Sequence, residues 1–177
     1  GGKDLDSDLA RWATARFLAD RPGREITPYS ADRLLQACRD AKETLSAEPE
    51  ATIGVETFSN DDALEETIDR AHFERLVAPR LERMIDVVEE TLRKAGRTPA
   101  ELDRVLLVGG TTYVPAVVRR LTDALGRAPE AAVDRDCAVA LGAAIAASDD
   151  VTEREASLDE RTVPDRPRPI VIRDVAT

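Results

Sequence analysis

Aromatic side chains are scarce in this chain of 177 residues, which holds one Trp, two Tyr and three Phe. So few π-faces leave little for the stacking surface that single-stranded nucleic acids require. Histidine is scarcer still, with His72 alone. The two cysteines, Cys38 and Cys137, lie far apart, with neither CxxC spacing nor a nearby His. That excludes the spacings of a zinc finger or a thioredoxin motif, and two free thiols suit a reducing compartment. No apolar run approaches the roughly 18 residues of a membrane span, and no basic-then-apolar order at the start marks a secretory signal. The expected location is the cytoplasm. Clustered positive charge is missing too: 35 acidic residues face 25 basic ones, for a formal charge of -10. Such a chain repels nucleic acid and anionic membranes, so neither is expected as a partner.

What is present is ordinary for a globular protein, with 42% hydrophobic and 34% charged residues, enough for one sizeable core or two small ones. The chain starts at Gly1-Gly2 rather than Met, as a fragment of a longer protein would, or a cloning remnant. Apolar residues from Leu5 to Phe17 follow helical spacing, with Asp4 or Asp6 as cap. A second helix is predicted from Ser30, its cap, to Leu45, with Leu34, Cys38, Ala41, Lys42 and Leu45 near one face. Thr52 to Phe58 alternates as a strand. The following segment from Asp62 to Arg70 favours helix by propensity but completes a hairpin as a strand, the reading adopted here. Ala71 to Ala95 is helical, with Pro79 expected to begin a new helix after a bend, and Gly96 to end it.

Thr98 and Glu101 have the spacing of a capping box and lead into Arg104 to Val108, an apolar run expected to be a buried sheet strand. That strand ends at Gly109-Gly110, and a helix from Val114 to Leu125 follows. Paired glycines there allow a backbone to approach a phosphate closely, although an ordinary turn has the same signature. The last helix, Asp136 to Ala147, is Ala-rich, with Gly142 permitting close packing. From 148 the composition turns acidic and then Pro-rich, as in a linker, ending in the apolar Ile170 to Val175.

Four segments together carry a resemblance: GGKDLD at Gly1, ACRDAKETLS at Ala37, LLVGGTTYVP at Leu106 and VDRDCAVALGAAIAA at Val133. In this order they resemble the second lobe of the ATPase domain of the seventy-kilodalton, DnaK-like heat-shock chaperones, of the actin and sugar-kinase superfamily. The resemblance implies an α/β fold, an actin-like ATPase lobe with a mixed sheet and packed helices. Its outer α+β part is expected over residues 1–100, an inner part over 101–147 and a flexible interdomain linker over 148–177. It further implies ATP or ADP held between this lobe and a first lobe, with Mg2+ on the other side. Gly2 would approach the nucleotide, Lys42 and Ser46 would face the adenosine, and Gly109, Gly110 and Thr111 would line its phosphate and ribose side. Asp136 matches an acidic residue near the adenine pocket. Implied partners are the first lobe, a C-terminal peptide-binding domain, a nucleotide exchange factor and a J-domain co-chaperone.

Several positions depart from the family pattern. Arg39 stands where a Glu can accept a bond from the ribose, and a guanidinium accepts none. Glu43 replaces a basic or apolar residue. Tyr113 replaces an Arg that stacks on adenine, keeping a flat face without the charge. Asp134 and Arg135 replace the Asn and Pro of an Asn-Pro-Asp triplet. No catalytic residue and no metal ligand is assigned to this chain, so any ATPase activity would belong to the parent. Two alternatives to a working chaperone ATPase remain: a degenerate, non-hydrolysing regulatory or interaction module, and an actin-like filament protein. Without the resemblance, Lys42 and Ser46 read as a solvated pair, Asp4 and Asp6 as helix-start residues, His72 as structural, Trp12 as core, and Glu65, Glu66 and Asp69 as a solvated edge.

Overall fold

A computed structural model describes residues 1–130 and 134–156, with side chains described as far as Ser148. The expected linker beyond 156, including Ile170 to Val175, lies outside the described residues. In chain order the elements are α1 (Gly2–Ala19), α2 (Pro28–Ala47), β1 (Glu50–Ser59), β2 (Asp62–Asp69), α3 (Arg70–Lys94), α4 (Pro115–Leu125) and α5 (Ala138–Ala156). Single 3-10 turns sit at Pro99–Glu101 and Gly110–Tyr113.

The segment after Phe58 is a strand, as adopted. β1 and β2 pair antiparallel, with Ile53 opposite Glu66 and Val55 opposite Leu64, through a turn in which Asn60 takes φ 52. Ala51, Ile53, Val55, Leu64 and Ile68 are buried on one face, against α1 and α2. Tertiary burial of Leu64 and Ile68 outweighs the helical propensity of the Glu residues between them, since each large aliphatic side chain gains about 1.5–3 kcal/mol on burial. Phe17 of α1 meets Phe58 of β1 edge to face, with ring centroids 5.0 Å apart. A register shift between Val55 and Ser59 turns Phe58 and Ser59 inward, where Ser59 donates to the carbonyl of Glu25 at 2.8 Å.

Several predicted features are corrected. Helix α2 starts earlier than Ser30: Thr27 is the cap, its hydroxyl accepting from the Ser30 N–H at 3.1 Å, with Pro28 in the first turn where its missing N–H costs nothing. At its other end, Arg70 donates to the carbonyls of Leu45 and Glu48 at 2.7 and 2.8 Å, complementing the negative helix terminus. Pro79 begins no new helix, because α3 runs unbroken across it. Its ring is on the exposed side, and Phe73, Val77, Leu81, Val88 and Leu92 bury a continuous stripe on the other. That packing offsets the roughly 3 kcal/mol cost of an interior proline.

Arg104 to Val108 is not a buried sheet strand among the described residues. Its one bridge pairs Leu106 with Glu130 in parallel, and burial alternates: Val105 and Leu107 are buried while Leu106 is 41% exposed. An apolar run permits two buried faces but does not supply the flanking strands that create them. Helix α5 extends past Ala147 to Ala156, so residues 148–156, expected as linker, are helical. Among the described residues, Gly142 makes no close packing contact, with nothing within 4 Å of where its Cβ would be. Val139, Leu141 and Ile145 are exposed on the same helix.

Candidate functional site

The cleft forms where three elements converge: the first turns of α1, one face of α2, and the Gly110–Tyr113 turn with Asp136 beside it. Its volume is about 690 Å3, within the size of small-molecule sites. Of the ten candidate residues, nine line it: Gly2, Arg39, Lys42, Glu43, Ser46, Gly110, Thr111, Tyr113 and Asp136. Gly109 does not. It stands behind the wall with φ 95 and ψ 152, a conformation open only to glycine, and its N–H is committed to the Arg135 carbonyl at 2.9 Å. The paired glycines therefore act differently: Gly109 bends the chain and Gly110 faces the cleft.

Helix spacing explains the α2 wall. Arg39, Lys42, Glu43 and Ser46 recur at i, i+3, i+4 and i+7, so they share a face adjacent to the buried stripe of Cys38, Ala41 and Leu45. Ser46 donates back to the Lys42 carbonyl at 3.2 Å. Lys42 is buried, and its ammonium donates to Asp6 Oδ1 at 2.7 Å. Arg39 Nε lies 3.8 Å from the other oxygen of that carboxylate. One anion thus anchors two cations from the neighbouring helix beneath the cleft. The Lys42–Asp6 contact belongs to the stronger, charge-assisted class of hydrogen bond, while Arg39 at 3.8 Å adds an ion pair alone.

Asp6 is the residue that sequence reasoning missed. It is neither cap nor turn, because α1 already begins at Gly2, and its carboxylate is buried. A signal existed: Asp6 falls beside Leu5 and three residues before Leu9, within the apolar stripe, where an acidic group needs a partner. Asp8, also buried, receives Arg80 Nε at 2.9 Å and Arg11 at 3.0 Å, and those hydrogen bonds, Arg80 first, hold its carboxyl below the usual range. Two of the three acidic residues read as a solvated edge also have partners. Glu66 accepts from Arg16 at 2.6 Å, and Asp69 caps α3 by accepting from the His72 N–H at 2.7 Å. Trp12 is half-buried against the core and meets the His72 ring edge to face at 5.3 Å.

Close approach is built into the rim. A Cβ on Gly2 would stand 2.8 Å from Thr111 Oγ1 and 3.4 Å from Lys42 Nζ, so α1 and the glycine turn touch only because residue 2 has no side chain. On the far wall, Tyr113 donates its hydroxyl to Asp136 Oδ2 at 3.2 Å. Partial burial and then the Asp136 carboxylate push its pKa up, which keeps the phenol protonated as the donor. Asp134 Oδ1 accepts from the N–H groups of Asp136 and Cys137 at 2.9 and 3.1 Å, fixing the entry to α5.

The profile of the family described as Hsp70 protein matches residues 1–161. The chain belongs to the Hsp70 family. Among its relatives, the chaperone protein DnaK of Thermus thermophilus is 39% identical over 155 residues, covering 83% of this chain and 25% of the relative. The DnaK of Deinococcus proteolyticus is 36% identical over 154 residues, covering 83% and 24%. The stromal 70 kDa heat shock-related protein, chloroplastic, of Spinacia oleracea is 36% identical over 152 residues, covering 83% and 25%. The chain therefore spans about a quarter of the length of the Hsp70 relatives it matches. Helices and an antiparallel hairpin make it a mixed α/β protein, as an actin-like Hsp70 lobe requires. Among the described residues, no helix is long and apolar enough to cross a membrane.

Proposed function

We propose that this chain supplies the adenosine-side wall of an ATP or ADP site in an Hsp70-type chaperone ATPase. The observation that carries this reading is the convergence, in one cleft of a chain of this family, of Gly2, the α2 face and the Gly110–Tyr113 turn. The donor set suits a nucleotide: Arg39, Lys42 and Lys3 offer N–H donors, while Glu43 and Asp136 offer acceptors. Tyr113 adds the one aromatic face on the wall. These residues bind and orient a nucleotide, and hydrolysis would require groups supplied by the first lobe, with Mg2+ held there. ATP binding in the complete parent would then be coupled to a peptide-binding domain, with a nucleotide exchange factor and a J-domain partner acting on the same cycle.

Titration calorimetry of ATP into the protein tests this directly. Saturable binding is expected, and removing the charge at the floor, Lys42→Met, lowers the affinity about tenfold or more, the size of one lost charged contact of about 1.5–3 kcal/mol. Equal affinity in both proteins would remove the cleft from consideration. The non-hydrolysing alternative keeps the binding and loses the turnover of the parent, so a phosphate-release assay separates the two.

A further inference from the structure

Arg135 stands where the family pattern has a proline, a residue with a fixed φ and no side-chain donor. Its guanidinium is an addition of this chain, and it is directed at the glycine turn. Nη1 donates to the Thr112 carbonyl at 2.5 Å, and the planar group lies over the Tyr113 ring, 5.0 Å from its centroid, within cation–π range. The backbone of the same residue is engaged too, its carbonyl accepting from the Gly109 N–H at 2.9 Å. One residue thus holds the turn at its first N–H, at the Thr112 carbonyl and at its last side chain.

Each of the two pieces that Arg135 joins is closed by bonds of its own. In the turn, the Thr112 N–H and hydroxyl both donate to the Gly109 carbonyl, at 3.1 and 2.6 Å. At the entry to α5, Asp134 Oδ1 accepts from the N–H groups of Asp136 and Cys137, and the Asp134 carbonyl accepts from the Ala138 N–H at 2.9 Å. Between them run the contacts of Arg135 and the bond from the Tyr113 hydroxyl to Asp136. The join bears on the cleft, because Gly110, Thr111 and Tyr113 line it from one piece and Asp136 lines it from the other.

We propose that Arg135 is a positioning residue, a latch that holds the glycine turn at a fixed distance from the α5 entry and so sets the shape of this cleft wall. It acts through Thr112 and Tyr113. The proposal rests on the nucleotide reading and adds how the wall is kept ready for a ligand. A four-residue 3-10 turn is a weak element alone, with poorer hydrogen-bond geometry than an α-helix. A proline would stiffen only its own φ, whereas an arginine reaches across and gives a charge-assisted bond, of the stronger class, to a carbonyl near the end of the turn. Where the competent shape is latched, apparent affinity equals the intrinsic one; where it is released, affinity falls by the fraction of molecules that keep the shape. That factor is common to every ligand seated on the turn.

The test titrates ATP and ADP into the complete chain by calorimetry and follows amide exchange by NMR in the ligand-free protein. Arg135→Gln is expected to speed exchange of the Gly109 amide at least about threefold, and to weaken ATP and ADP by one common factor of about threefold to tenfold, the range for one lost hydrogen bond. Arg135→Lys, whose ammonium still reaches the Thr112 carbonyl, should stay within about twofold of wild type in both measurements. Unchanged Gly109 exchange in Arg135→Gln would overturn the latch, and unchanged affinity would overturn its role at the cleft, each leaving the nucleotide reading standing. Unequal losses for ATP and ADP would show that Arg135 meets the terminal phosphate directly, which also overturns the proposal. Faster exchange spread through the core amides, with a lower melting temperature, would make Arg135 a general structural residue and overturn it as well. A wild-type chain that binds neither nucleotide overturns the nucleotide reading and the positioning role together.

Discussion

Removing the Asp6 carboxylate should unlock α1 from α2, and the cost can be worked from the geometry. Asp6 and Lys42 are both buried, with their charged atoms 2.7 Å apart and side-chain exposures of 6% and 10%. Leaving one member of a fully buried pair alone costs about 3–5 kcal/mol. Lys42 borders the cleft, so water can reach part of the stranded ammonium, and Asp6→Ala is expected to cost about 2–3 kcal/mol. In a chain of this size each kcal/mol moves the melting temperature by about 2–4 °C, so a fall of about 4–12 °C is expected. Lys42→Met should cost less, about 1–2 kcal/mol, because Arg39 already lies 3.8 Å from Asp6 and can move in. The double variant should then be more stable than the sum predicts by about 1–2 kcal/mol, read from urea unfolding of the four proteins. Additivity within about 0.5 kcal/mol would refute the claim that this pair ties the two helices together.

Three further outcomes follow from particular contacts. Gly109→Ala should destabilise by about 1–3 kcal/mol in denaturant unfolding through backbone strain alone, since no atom lies within 4 Å of the added Cβ, whereas Gly110→Ala should fold normally because its nearest neighbour is Asp136 at 4.0 Å. The Asp8 carboxyl is depressed in the folded state by Arg80, so its contribution is complete above the unfolded value of about 3.9 and is lost as pH falls below it; Asp8→Asn should flatten the melting temperature profile between about pH 5 and pH 2. Native protein should react with Ellman's reagent at one thiol, the exposed Cys137, because burial and then the Asp6 charge push Cys38 up to about 12, and the second thiol should appear only on unfolding.

The four matching segments make the family and most of the cleft wall legible in the sequence itself. Lys42, Ser46 and their neighbours lie on one helix face for a reason that spacing alone states. Asp6 was harder, because its partner sits 36 residues away on another helix. An acidic residue near a helix start has an adequate local explanation, and only the packing of α1 on α2 removes it. The same holds for Pro79, whose local rule predicts a break that a buried stripe on both sides overrules.

Amino-acid order by itself determined most of the helices, the apolar stripes, the glycine turn and the membership of the family, because these depend on periodicity and on residues close in the chain. Tertiary structure alone decided which groups share an environment. It buried Asp6 beneath two cations, committed the Gly109 N–H to Arg135, and set Arg135 over the ring of Tyr113. Each of those contacts joins residues 22 to 36 positions apart, a separation over which no local pattern carries information about distance. Interaction energy falls with distance in space, and the fold sets that distance.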